Sequence, residues 1–163
     1  MAIDAYLKID GIEGESQDEK HSKEIEVLSY SWGVSQTGSM GSGGGGGAGK
    51  ANHQDFNFTY QLGKSSPKLM AACASGQHVP KALLSIRKAG GGANPGQDFL
   101  KVTFEDLVIT SYQTGGSHGG DNPVDSCTFN YSKMEYSYSE QKKDGSLDAA
   151  IKKAVDVKLN KVT

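Results

Sequence analysis

The stretch Glu24-Ile25-Glu26-Val27-Leu28-Ser29-Tyr30-Ser31-Trp32-Gly33-Val34-Ser35 sets the reading of the whole chain. Leu28, Tyr30, Trp32 and Val34 share one parity, and Ser29, Ser31, Gly33 and Ser35 share the other. A strand sends alternate side chains to opposite faces, so this period of two predicts a single strand over residues 24–35. Its aromatic and branched set predicts a dry face against a core, and its small polar set predicts a wet face with few bulky groups.

The same alternation recurs on both sides. Ile3, Ala5, Leu7 and Ile9 alternate with Asp4, Tyr6, Lys8 and Asp10; Phe56, Phe58, Tyr60 and Leu62 repeat the pattern. Further strands are predicted over residues 82–88, 97–104, 107–113 and 127–139, with Glu105-Asp106 only interrupting a long hairpin arm. In the last strand Cys127, Phe129 and Tyr131 face one way while Met134, Tyr136 and Tyr138 lie on the other parity, which predicts a bulge near Ser132-Lys133. One helix is predicted. Ser65-Ser66-Pro67 supplies a serine cap and a first-turn proline, Leu69, Ala72 and Cys73 form an apolar face, and Gly76 ends it. The tail over 146–162 fits a helix through Leu147, Ile151 and Val155, or a strand through Val155, Val157 and Leu159; a turn and then a terminal strand is the reading adopted. The fold class is therefore all-β: a small β-barrel of two packed sheets with one short α-helix and long glycine-rich loops. Residues 1–163 read as a single domain, with 141–163 as its least defined segment.

Composition narrows the function. Of 163 residues only 36% are hydrophobic, mean hydropathy is -0.51 and net charge is -2. Such a chain has a thin core, or one completed by partners. It lacks the basic footprint of a nucleic-acid binder and any apolar run that would insert in a membrane. Met1-Ala2-Ile3-Asp4-Ala5-Tyr6 has no basic segment followed by an apolar one, so no secretory signal peptide is expected. Cys73 and Cys127 are the only cysteines and read as free thiols in a reducing compartment. The 22 glycines cluster between patterned segments, which marks long loops joining strands.

Several chemical motifs are suggested and refused. Gly44-Gly45-Gly46-Gly47-Ala48-Gly49-Lys50 matches the glycine and lysine spacing of a phosphate loop. Ala51, however, has no hydroxyl for magnesium, and the residues that follow alternate as a strand rather than a helix. His21, His53, His78 and His118 form no ligand pair of metal-site spacing and read as solvated loop residues. Cys73 and Cys127 sit in apolar registers, where burial makes a thiol inert. Glu105-Asp106 and Asp18-Glu19 are adjacent carboxylates that a strand would separate. No catalytic constellation, cofactor site or metal site is expected.

Taken together and in order, several segments resemble the hemolysin-coregulated protein (Hcp) family of bacterial type VI secretion systems. They are Asp4-Ala5-Tyr6-Leu7-Lys8-Ile9 with Gly14-Glu15-Ser16; Tyr30-Ser31-Trp32-Gly33-Val34-Ser35-Gln36 with its glycine-rich loop to Gly49-Lys50; Ser66-Pro67 with Leu69-Met70 and Cys73-Ala74-Ser75-Gly76; Ile86-Arg87-Lys88-Ala89-Gly90; and Ser111 to Gly116. The likeness covers about residues 2–140, while the closing strand around Ala154 to Lys161 is a looser match.

The resemblance implies a homo-hexameric ring that stacks into tubes. A contractile sheath drives such a tube beneath a tip spike, small effectors ride in the lumen, and no enzyme activity is expected. It also implies a protein found in the bacterial cytoplasm and outside the cell. On this view Ser29, Ser31, Gly33 and Ser35 pave the lumen and contact effectors. The loop over 36–50, with Gln36, Thr37, Met40, Gly43, Gly47 and Lys50, supplies ring stacking or another inter-subunit contact. Two other readings stay open: a monomeric small-ligand carrier with an apolar interior cavity, and a secreted enzyme with an unrecognised site.

Overall fold

The computed structural model describes residues 3–38, 49–88 and 96–163. In chain order it contains β1 (Ile3–Ile9), β2 (Ile25–Glu26), β3 (Ser29–Ser31), β4 (Val34–Ser35), β5 (Asn52–His53), β6 (Phe56–Gln61), α1 (Ser65–Ser75), β7 (His78–Lys88), β8 (Gln97–Gly115), β9 (Val124–Tyr138), β10 (Ile151–Asp156) and β11 (Lys161–Val162). The all-β class with one helix is the one the alternation predicts.

A large antiparallel sheet runs β11-β10-β9-β8-β7-β1-β2, and β6 branches from β9 to carry β3. β9 is the fork: Phe56 to Gln61 pair with its first half, and Ile151 to Asp156 pair with its second. The ladder does not close into a complete barrel. Residues 25–31 span the gap between β1 and β6 in two separate short ladders, joined by the Val27 and Leu28 amides, which donate to Ala5 and Thr59 carbonyls. The second sheet is only the ladder β4-β5.

The strand expected over 24–35 is thus broken into β2, β3 and β4. Its dry face is only partly dry. Trp32 is half-buried against Tyr136 at 5.5 Å between ring centroids, while Leu28 and Val34 are 57% and 55% exposed. The reason is topological: among the described residues β3 has a partner on one side only, β6.

The core is aromatic. Phe129 lies 4.9 Å from Phe56, 5.1 Å from Phe104 and 6.2 Å from Phe58, and Leu7, Leu69, Leu84 and Val102 fill in around them with no exposed surface. The space an internal ligand would need is occupied by these rings, which argues against the carrier reading.

β8 and β9 explain the parity change. β8 buries Val102 and Phe104, then Leu107 and Ile109; β9 buries Cys127, Phe129 and Tyr131, then Met134. Both strands carry one extra residue at the same level, Asp106 (φ 51°) and Ser132, so register is kept across the switch. Ser132 Oγ donates to the Asp106 carbonyl at 3.2 Å. The parity break in β9 falls where it was expected, and 97–115 is one unbroken arm. The register shift itself lies elsewhere, between Ile109 and Ser111.

α1 ends at Gly76 in the left-handed conformation (φ 68°), as the sequence predicts. The serine cap is corrected. Lys64 occupies the cap position with no side-chain bond, and Ser65 and Ser66 are buried inside the first turn. The Ser66 hydroxyl is one of the groups that hold the charge of Asp125, a fully buried carboxylate at the start of β9. The tail forms the hairpin β10-β11, with Leu159 exposed in its turn rather than in a strand.

Candidate functional site

The wet face predicted from Ser29 and Ser31 extends well beyond their own strand. Register places Ser29 beside Thr59, Thr59 beside Ser126, and Ser126 beside Gln113; the next row is Ser31, Asn57, Thr128 and Ser111. The residues between these on β6 and β9 are Phe58 and Cys127, which point into the core. The result is a four-strand wall, β3-β6-β9-β8, whose outer face carries hydroxyls and amides.

Its groups are cross-linked. Ser29 and Thr59 hydroxyls lie 2.6 Å apart, and the Thr128 hydroxyl lies 2.7 Å from both Thr110 and Ser111. The bulge at Thr110 and Ser111 is what turns two consecutive hydroxyls outward to share one partner. Asp55 is the carboxylate on this wall; it accepts from Thr110 Oγ1 at 2.8 Å and from Asn130 Nδ2 at 3.0 Å. Hydroxyls that donate and accept, held on a rigid sheet, offer bonds in many directions and little charge.

Ser29 and Ser31 therefore join the wall, whereas Gly33 and Ser35 do not. Gly33 lies between strands, its carbonyl accepting from Gln54 N at 2.9 Å, and a Cβ there would meet the Gln54 side chain at 3.2 Å. Ser35 pairs with Asn52 in the separate ladder. That ladder forms the base of the loop over 36–50. Gln36, Thr37 and Lys50 are exposed at its foot, and the Gly49 backbone approaches so closely that a Cβ would lie 2.8 Å from Thr37 Oγ1. Met40, Gly43 and Gly47 lie outside the described residues.

Asn57, Thr59, Thr110, Ser111, Ser126, Thr128 and Asn130 are wall residues that single-strand reading missed. The available signal was parity: each except Ser111, which the bulge turns outward beside Thr110, alternates with a buried aromatic, aliphatic or cysteine residue on its own strand. Register, which decides that they form one surface, is not written in any one strand.

The histidines are corrected in part. His21 is buried, stacked on Tyr6 at 4.6 Å, with Nδ1 2.9 Å from Glu24 Oε2 and Nε2 2.9 Å from Asp98 Oδ1. Arg87 continues this cluster to Asp18 at 3.2 Å and to the Gly96 carbonyl. The loop between β1 and β2 folds back over β7 and β8 to make these contacts, so His21 is structural rather than solvated. His53 is half-buried, with Nδ1 unpartnered among the described residues, and packs edge-on to Tyr131. Cys127 is buried beside Tyr60, and burial pushes its thiol up to about 12, as inertness requires. Among the described residues no cluster of His, Cys, Asp and Glu has metal-binding geometry. A recess of about 480 Å³ is a groove outside the wall, lined by Lys81, Glu105, Lys133, Asp156, Leu159 and Lys161 among others.

Residues 6–138 match the family described as type VI secretion system effector, Hcp. The chain belongs to the Hcp family. It is 45% identical over 148 residues to protein hcp1 of Pseudomonas aeruginosa, which covers 91% of this chain and 90% of that protein. The crystal structure of Hcp1 from Salmonella typhimurium superposes with a TM-score of 0.80 at 36% identity, covering all of both chains. A structure described as a type six secretion system protein gives a TM-score of 0.91 at 33% identity, over 99% of this chain and 100% of that one. Hcp membership makes this a secretion-system protein with a structural role, secreted by that system and working in an oligomeric assembly, and the family is not one of enzymes. No helix among the described residues is long and apolar enough to cross a membrane.

Proposed function

We propose that this chain is a tube subunit of the type VI secretion apparatus. Six copies close head to tail into a ring whose bore is lined by the β3-β6-β9-β8 wall. Rings stack through the loop over 36–50, and small secreted effectors are held in the bore and carried out with the tube, beneath the tip spike and within the contractile sheath. The subunit leaves the bacterial cytoplasm by this route, and it works without catalysis or a cofactor.

The observation that carries this reading is the wall itself. A rigid surface of small hydroxyls and amides, with Asp55 as its carboxylate, suits weak and adaptable contact with varied cargo better than tight recognition of one ligand. The apolar residues left bare at the free side of β3 support a protomer completed by neighbours.

Light scattering on the eluting protein should give the mass of six chains; a single chain overturns the ring. Ser31→Arg should keep that mass while an effector of the same system no longer co-elutes. If cargo is retained, or if the ring itself is lost, Ser31 does not face the bore.

A further inference from the structure

The large sheet runs from β11 at one end of its path to β2 at the other, with β7, β8 and β9 lying between the two terminal pairs. These ends carry opposite charge. Residues 4–26, which supply β1, the loop after it and β2, hold eight carboxylates against three lysines. Asp4, Glu19 and Glu26 are exposed there. Residues 151–163, which supply β10 and β11, hold four lysines against one aspartate, Asp156, and Lys133 already sits 3.9 Å from that aspartate. Lys152, Lys153, Lys158 and Lys161 are all exposed.

Each end also bares apolar side chains. Ile3 and Leu28 flank the acidic end, and Ile151, Leu159 and Val162 tip the basic one, at 68–71% exposure. The carboxylates of the acidic end act together: the Tyr6 hydroxyl is pushed up to about 12, by burial first and then by Asp18, Asp4 and Glu26. One chain thus presents two unlike surfaces, each matched in sign and in apolar content to the other. Unlike, mutually complementary surfaces generate head-to-tail association, and their fields steer it.

We infer that the contact between neighbours in the ring is made by these ends: the basic hairpin β10-β11 of one copy seats on the acidic β1-β2 end of the next. The occupant is a second copy of this chain, and the inference rests on the ring reading above. The exposed apolar residues supply the affinity, and the charges set orientation and rate.

Two variants test it. Lys152→Glu/Lys153→Glu/Lys158→Glu makes both ends acidic, and Asp4→Lys/Glu19→Lys/Glu26→Lys makes the acidic end basic like the other. Each variant alone should elute as single chains. Mixed in equal amounts, they should regain the wild-type assembly mass, because every contact then again pairs opposite signs; this recovery also shows that both variants are folded. If either variant alone keeps the wild-type mass, or if mixing restores nothing, these ends do not form the contact, although the ring itself stands. A wild-type protein that is a single chain removes the ring reading and this inference with it.

Discussion

β8 and β9 present two different outer surfaces along their own length. Beyond the switch at Asp106 and Ser132 they contribute Thr110, Ser111, Ser126 and Thr128 to the hydroxyl wall. On the other side of it they contribute Glu105 and Lys133 to a cross-strand row that reads Lys81, Glu105, Lys133, Asp156, Lys161, with alternating sign over five strands. The same two strands bury one continuous core behind both surfaces. Outer-face chemistry is thus decoupled from core chemistry, and the shared extra residue marks the boundary. One half is built to be uncharged and even; the other pairs its charges within the sheet and, at the edge, against a neighbour.

The largest expected effect breaks the comparison from behind. Phe129 contacts Phe56, Phe58 and Phe104 and is fully buried. Phe129→Ala should lower unfolding free energy by about 3–5 kcal/mol, through lost burial plus the cavity left. Denaturant unfolding followed by circular dichroism checks this. Because one core underlies both halves, a single transition should move as a whole. Two separate transitions would show the halves to be independent units.

A smaller effect sharpens the comparison at the hydroxyl end. Burial alone would raise Asp125, but hydroxyls of Ser66, Thr114, Tyr112 and Tyr60 hold it below the ordinary carboxylate range. Only Tyr112 meets full bonding geometry, at 2.8 Å to Oδ2, and the buried Oδ1 has no closed bond. A carboxylate depressed on folding adds stability above its unfolded value and loses it as pH falls through its folded one. Asp125→Asn should therefore cost about 1–3 kcal/mol at pH 7. The gap from wild type should narrow as the solution is made acid. A gap that is constant with pH would mean that the charge itself contributes nothing.

The legible part of this fold was whatever a single strand records. Alternation in Phe56, Phe58 and Tyr60 fixed their burial, and the parity break after Tyr131 announced the switch in β9. The family was legible from ordered motifs. The hydroxyl wall was not, beyond Ser29 and Ser31, because it depends on which strands lie side by side; nothing in Thr59 or Ser126 states that they are neighbours. The break of 24–35 into three short pieces did leave a mark, since the apolar parity passes from Ile25 and Val27 to Leu28 and Tyr30 at the point where the chain changes partners from β1 to β6; the regular run from Leu28 to Val34 masked it. His21 was misread because its buried contact with Asp98 is made across 77 positions of sequence.

The smallest effect separates the two surfaces by their response to salt. Lys133 is flanked by Glu105 on one side and by Asp156 on the other, the latter at 3.9 Å, with the lysine about half exposed. Exposed pairs of this kind contribute roughly 0.2–1 kcal/mol, and like charges placed opposite one another cost a similar amount. Lys133→Glu puts three carboxylates side by side, so it should destabilise by about 1 kcal/mol at low ionic strength. Most of that loss should vanish near 1 M salt, where the screening length is about 3 Å. Thr128→Val, at the matching place on the hydroxyl wall, removes a group that bonds Thr110 and Ser111 without net charge. Its cost should be smaller, about 0.5 kcal/mol, and unchanged by salt, since hydrogen bonds between hydroxyls are not screened in this way. The comparison therefore predicts a crossing: at low salt the lysine variant is the less stable of the two, and at high salt the threonine variant is. Parallel lines in the two salt series would mean that the halves differ in composition but not in the forces that hold them.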